Sequence, residues 1–290
     1  MSLNEKESKQ ATIAELASTE GSGADAAGRF FKKGQKRGDG QSGGINTRVV
    51  PLLERLRAAD MLVPGSQLDD NIIDEYRRIK RPLISNAFGK TAKLVDKGNL
   101  ILLTSSLPGE GKSYTSVNLA LSIAQERDHT VLLVDCDVAR HGSSRLLGIA
   151  DKPGLVELLE TDDMDISDVI LRTDIPKLCL ISAGKQHEYV TELLASHRMV
   201  ELVHELGTRY SDRVIIFDGP PILPTPQTQV LVGLVGQVVF VVEAGKTPQA
   251  VVEEALSLIP DDQATGIVLN KNERMSARSG YYGYYDSYKE

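Results

Sequence analysis

The strongest constraint on the fold of this 290-residue chain is the regular alternation, from Leu100 onward, of short apolar runs with amphipathic stretches. Leu100–Thr104, Val131–Asp135, Lys177–Ile181, Val214–Asp218, Val238–Val242 and Thr265–Asn270 have strand length and are apolar on both faces. Ser113–Gln125, Leu155–Glu160, Thr191–Leu206 and Pro248–Leu258 carry helical periodicity between them. Strands apolar on both faces and separated by helices imply a parallel sheet covered on each side, and so one α/β domain over residues 97–274.

The remainder divides by composition. Residues 1–48 are poor in large apolar side chains, and Gly21 to Gly44 holds eight glycines, so this part cannot bury enough surface to offset the entropy of ordering it. It is expected to be a flexible tail, whose Lys32, Lys33, Lys36 and Arg37 beside Phe30 and Phe31 suit either solvent or an anionic surface. Residues 49–96 read as helical: Leu52, Leu53 and Leu56 form one stripe, and Ile72, Ile73, Tyr76 and Ile79 form another. Asp69, Asp70 or Asn71 caps the second helix, and Pro82 bends or ends it. Residues 275–290 lack apolar periodicity and read as a second tail.

Two cysteines, Cys136 and Cys179, cannot build a disulfide framework, and no run approaches the roughly 18 apolar residues of a membrane span. A cytoplasmic chain is expected. A net charge of −7 gives no global attraction to nucleic acid, which is not expected as a partner.

The chemistry concentrates in three places. Ser105-Ser106-Leu107-Pro108-Gly109-Glu110-Gly111-Lys112-Ser113 lies between the first strand and helix and matches the phosphate loop G-x-x-x-x-G-K-[ST], with Ser106 for the first glycine. Leu107 to Tyr114 would surround the phosphates. Gly109 and Gly111 let amides curl around oxygens, Lys112 neutralises the β- and γ-phosphates, and the Ser113 hydroxyl ligates Mg²⁺. Asp135-Cys136-Asp137 closes the second strand, and its two carboxylates share one face if strand geometry persists to Asp137; one holds Mg²⁺ or its water and the other takes a proton, and spacing does not say which. Asp218 ends another apolar strand in the manner of a Walker B aspartate, near the metal. Together they describe an Mg-ATP site. Asn270 ends the last strand, either near the purine base or capping a turn. The five histidines form no zinc set.

These motifs, with Asp218-Gly219-Pro220-Pro221, resemble the Walker A, A′ and B elements of the bacterial tyrosine kinases (BY-kinases) of polysaccharide export. The resemblance runs from about Asn71 to the C-terminus and is strongest to the exosortase-associated (XrtA-type) chain-length autokinases. It implies a P-loop NTPase fold of the MinD (SIMIBI) type and ATP-dependent protein-tyrosine kinase activity with Mg²⁺. It further implies that Tyr281, Tyr282, Tyr284, Tyr285 and Tyr288 are autophosphorylated, with transfer between subunits of a ring. Glu75, Arg78 and Arg81 fit the family's E-x-x-R-x-x-R interface element; without the family they are a charged helix face with a Glu75–Arg78 pair. The implied partners are a second copy, a Wzz-type membrane co-polymerase that activates the kinase and brings it to the inner membrane peripherally, and a tyrosine phosphatase.

Two departures matter. Ala139 stands where many members have arginine, with Arg140 following, and Leu107 stands where the MinD and ParA ATPases carry a signature lysine. A MinD/ParA-like positioning ATPase is the rival reading, since it shares the Mg-ATP site and needs no tyrosine tail.

Overall fold

The structure, a computed structural model, describes residues 49–89 and 95–272. Both predicted tails and the five C-terminal tyrosines lie outside the described residues. Seven strands form one sheet in the order β3-β4-β2-β5-β1-β6-β7, parallel except for the β3–β4 pair. They are β1 (Leu100–Ser105), β2 (Thr130–Asp135), β3 (Leu171–Arg172), β4 (Leu178–Ile181), β5 (Arg213–Asp218), β6 (Gln237–Glu243) and β7 (Ala264–Asn270). The six expected strands are each present to within a residue at either end. β4 starts after Lys177 because that residue is left-handed, with φ of 67°. The two-residue antiparallel β3 was not legible as a strand, being too short to show a period.

The helices are α1 (Leu53–Ala58), α2 (Asp70–Phe88), α3 (Lys112–Ala124), α4 (Gly142–Leu147), α5 (Leu155–Glu160), α6 (Ile166–Val169), α7 (Val190–Leu194), α8 (His197–Thr208), α9 (Gln227–Leu234) and α10 (Gln249–Leu256). The predicted helix Thr191–Leu206 is two: Ser196 interrupts it and caps α8 by accepting the Met199 N–H.

The strand period of two divides the core into layers. Leu100 and Leu102 face one layer with Leu132, Ile215, Phe217, Val238 and Phe240, covered by α5 to α10. Ile101 and Leu103 face the other with Val131, Leu133, Val214 and Ile216, covered by α1 to α4. Both faces of the sheet are therefore dry over β1, β2, β5 and β6, as doubly apolar strands require, whereas the edge strand β7 departs from that expectation and leaves Ile267 and Leu269 exposed.

Asp69 caps α2 by accepting the Asn71 N–H. Pro82 does not end this helix, which continues to Phe88. The proline faces solvent while Tyr76, Lys80 and Leu83 are buried on either side of it, so packing outweighs the lost backbone bond. Lys80 is the polar anchor: its Nζ donates to the Ser122 carbonyl at 2.8 Å and pairs with Glu126 at 2.6 Å, joining α2 to the end of α3.

Glu126 is 39% exposed and can rehydrate when its partner is removed, so Lys80→Met should cost only about 1–2 kcal/mol. Urea unfolding would measure it, and a loss above roughly 4 kcal/mol would mean that the amine holds the α2–α3 seam far more tightly than its bonds imply.

Candidate active site

The sheet order sets the site. β1 lies between β5 and β6, and β2 lies beyond β5, so the loop after β1 and the ends of β2 and β5 meet at one carboxyl edge. Asp135 and Asp218 stand opposite each other in register.

The phosphate loop holds the left-handed geometry that its glycines permit: Gly109 has φ of 92° and Gly111 of 95°. A Cβ on Gly111 would also strike the Asn270 amide. Ser106 is not among the positive-φ residues, which explains why serine can replace the first glycine of the pattern. Glu110 is 2% exposed and braces the loop from within. Its carboxylate accepts the Leu107 N–H at 2.7 Å and the Thr247 hydroxyl at 2.5 Å. The Leu107 amide is thus spent on the loop itself. Tyr114 turns its side chain away, donating to the Asp60 carbonyl at 3.1 Å.

Lys112 is buried, with Nζ 3.1 Å from Asp137 Oδ2. Asp137 lies past the end of β2, so the two carboxylates of Asp135-Cys136-Asp137 do not share a strand face. Asp135 Oδ1 instead accepts the Asp137 N–H at 3.0 Å, and Oδ2 accepts the Ser144 N–H at 2.8 Å. Asp218 Oδ1 accepts the Ser116 hydroxyl at 2.9 Å, while its Oδ2 is buried with no hydrogen-bond partner. A Cβ added to Gly142 would meet both the Ser113 hydroxyl and Asp218 Oδ2, which places these two atoms around one small space. Burial and the neighbouring Asp218 raise the Asp135 pKa to about 7; burial raises that of Asp218 against the pull of Lys112.

This is the donor set for a hard divalent cation: a serine hydroxyl, an orphaned carboxylate oxygen and a second carboxylate held out of water beside it. Among the described residues no cluster of three or more His, Cys, Asp or Glu could hold a metal ion. Mg²⁺ does not need one, since it keeps waters and takes substrate phosphates as ligands.

Beside the loop lies a cavity of about 240 Å³, lined by Pro108, Asp137, Arg140, Pro220, Pro221 and Thr225. Of the three aspartates only Asp137 lines it. Ala139 and Arg140 line it too. Asn270 reaches the site by donating to the Glu110 carbonyl at 2.8 Å. Glu75, Arg78 and Arg81 are all exposed along α2. The expected Glu75–Arg78 pair is not among the ion pairs of the described residues; Arg77 pairs with Asp74 at 2.7 Å. Ser116, Ser144, Thr247 and Lys271 were not singled out from sequence, because serine, threonine and lysine without a motif carry no local signal.

Two predictions follow from the buried carboxylates. The folded protein binds the Asp135 proton more tightly than the unfolded chain does, so this stabilisation is complete below the unfolded value near 4 and is lost as pH rises through about 7. The unfolding midpoint without divalent cations should therefore fall from pH 5.5 to roughly 8, less steeply in Asp135→Asn; equal slopes would mean that the carboxylate is not held protonated. Gly142→Ala puts a Cβ against the Ser113 hydroxyl oxygen, which must rotate away; because only the end of a small side chain has to move, the midpoint should change little while Mg-ADP binding weakens at least about tenfold in calorimetry. Wild-type affinity in that variant would remove the cation from this space.

An AAA domain family model matches residues 98–251. The tyrosine-protein kinase CpsD of Streptococcus agalactiae is 31% identical over 69% of this chain and 87% of its own length. The succinoglycan biosynthesis transport protein ExoP of Rhizobium meliloti is 28% identical over 74% of this chain. The solved BceF tyrosine kinase domain superposes with a TM-score of 0.59 at 27% identity, covering 76% of this chain and 83% of that domain. The match spans only 28% of ExoP and of the EpsB proteins of Ralstonia. Phosphate loop, paired aspartates, sheet order and relatives agree: the chain belongs to the bacterial tyrosine kinases, the BY-kinase family.

Proposed function

We propose that this protein is an ATP-dependent protein-tyrosine autokinase that modifies Tyr281, Tyr282, Tyr284, Tyr285 and Tyr288 in its own C-terminal segment. The observation that carries the reading is the convergence of Lys112, Asp137 and the Asp135–Asp218 pair beside a cavity open to an acceptor. Residues 97–274 form the kinase domain, 49–96 its helical N-terminal region, and 1–48 and 275–290 the two tails.

ATP lies with its phosphates on Pro108 to Ser113. Ser113 and Asp218 would hold Mg²⁺, with Asp135, whose oxygens accept the Asp137 and Ser144 amides, beside them. When bound, Mg²⁺ offsets the charge of the β- and γ-phosphate oxygens. Lys112 lies between the loop and Asp137, so its ammonium is shared between the γ-phosphate and that carboxylate. A tyrosine in the cavity presents its hydroxyl to Asp137. The phenol oxygen bonds to the γ-phosphorus as the bond from that phosphorus to the bridging oxygen breaks, ADP leaves, and the phenolic proton passes to Asp137. A phenol with a pKa near 10 needs such a base in the transition state.

Transfer runs between subunits of a ring closed through Glu75, Arg78 and Arg81, which lie on one exposed face of α2. Each phosphotyrosine adds about −1.5 to −2 charges, so a modified tail repels its neighbours and opens the ring. Among the described residues no helix is long and apolar enough to cross a membrane. A Wzz-type co-polymerase would hold the kinase at the inner membrane and activate it, a phosphatase would reset it, and the cycle would set polymer chain length.

Initial rates of phosphotyrosine formation from γ-labelled ATP test the chemistry. Asp137→Asn should lose at least about a hundredfold, as expected for a lost general base. An Asp137→Asn variant at wild-type rate would move the base to Asp135. Replacing all five tail tyrosines by phenylalanine should leave the assembly, followed by light scattering, insensitive to ATP turnover; dissociation in that variant would refute the charge switch.

A further inference from the structure

A loop that wraps an anion with its N–H groups must turn the matching carbonyls outward, because a trans peptide holds C=O and N–H on opposite sides of one plane. Outward carbonyls need donors of their own. Here two consecutive ones have them. The Gly109 carbonyl accepts from Lys271 Nζ at 2.7 Å, and the Glu110 carbonyl accepts from Asn270 Nδ2 at 2.8 Å. Both donors stand at the end of β7, far from the loop in sequence. Lys271 takes a left-handed backbone, with φ of 57°, and its ammonium is also 3.3 Å from Glu243 Oε2. Glu243 in turn directs its N–H toward the Glu110 carboxylate at 3.4 Å.

We propose that Asn270 and Lys271 are positioning residues for the phosphates: by gripping the Gly109 and Glu110 carbonyls they turn the Glu110 and Gly111 amides toward the anion. The inference rests on the loop being the nucleotide site. It gives Asn270 a task on the loop itself, distinct from contact with the purine base. It also puts the root of the C-terminal segment in direct contact with the phosphate loop.

The test is displacement of a fluorescent ATP analogue by Mg-ATP and, separately, by inorganic tripolyphosphate, which has no base. Lys271→Asn keeps a residue that tolerates the left-handed backbone but is too short to reach Gly109. Asn270→Ala removes the second grip without changing charge, and Lys271→Arg keeps a donor of similar length. Lys271→Asn and Asn270→Ala should each weaken both competitors by about tenfold, the scale of one misaligned hydrogen bond to a charged group. Their nucleotide-free unfolding midpoints should stay at the wild-type value, and Lys271→Arg should recover most of the affinity. Loss confined to Mg-ATP would make these base contacts and overturn the proposal. So would unchanged tripolyphosphate affinity, or a fall in affinity matched by a fall in midpoint. A wild type that binds neither competitor would sink the nucleotide site and this inference together; one that binds both yet forms no phosphotyrosine would sink only the kinase reading.

Discussion

The structure depends on keeping two carboxylates, Asp135 and Asp218, side by side out of water. They end neighbouring strands in register, and each is essentially inaccessible to solvent. Two like charges in such a place are costly unless protons, hydrogen bonds or a cation offset them. The chain supplies amides from Asp137 and Ser144 to one and a hydroxyl from Ser116 to the other, and leaves one oxygen of Asp218 bare. That remaining deficit is what the proposed Mg²⁺ would offset, and the Ser113 hydroxyl lies on the same space.

The same edge of the sheet organises the phosphate loop. Glu110 is the inner brace, tying Leu107 to Thr247 beyond β6, while Asn270 and Lys271 at the end of β7 are the outer one. The two strands on one side of β1, β6 and β7, thus fix the loop, and α3 leaves it with its positive end toward the anion. α2, whose exposed arginines suit a contact between subunits, packs on that same α3 through Lys80. An interface on α2 would therefore press on the helix that carries Lys112 and Ser113.

Much of this was legible in the sequence, for reasons that are local. A doubly apolar run of five residues needs a buried parallel strand, and Gly-Glu-Gly-Lys-Ser between strand and helix needs little else to be placed. What escaped was set by topology. Thr247 and Lys271 act on residues more than 130 positions away, a separation at which spacing carries no information. Asp137 looked like a strand-face partner of Asp135, but β2 ends first, and the resulting turn aims it at Lys112. Pro82 carried a strong local signal that burial on both sides of it overrode. Leu107 belongs to the loop by motif, yet its amide serves Glu110.

The central claim is that phosphate moves from ATP to tyrosine in the C-terminal segment, and the tryptic peptide Ser279 to Lys289 holds all five candidate acceptors. Mass spectrometry of that peptide, after phosphatase treatment and then fresh Mg-ATP, measures the transfer directly. The account predicts phosphate returning to these tyrosines in the wild type and not in Lys112→Met. A peptide that stays bare in the wild type, in the presence of its membrane activator and with ATP consumed, would contradict it and leave an ATPase.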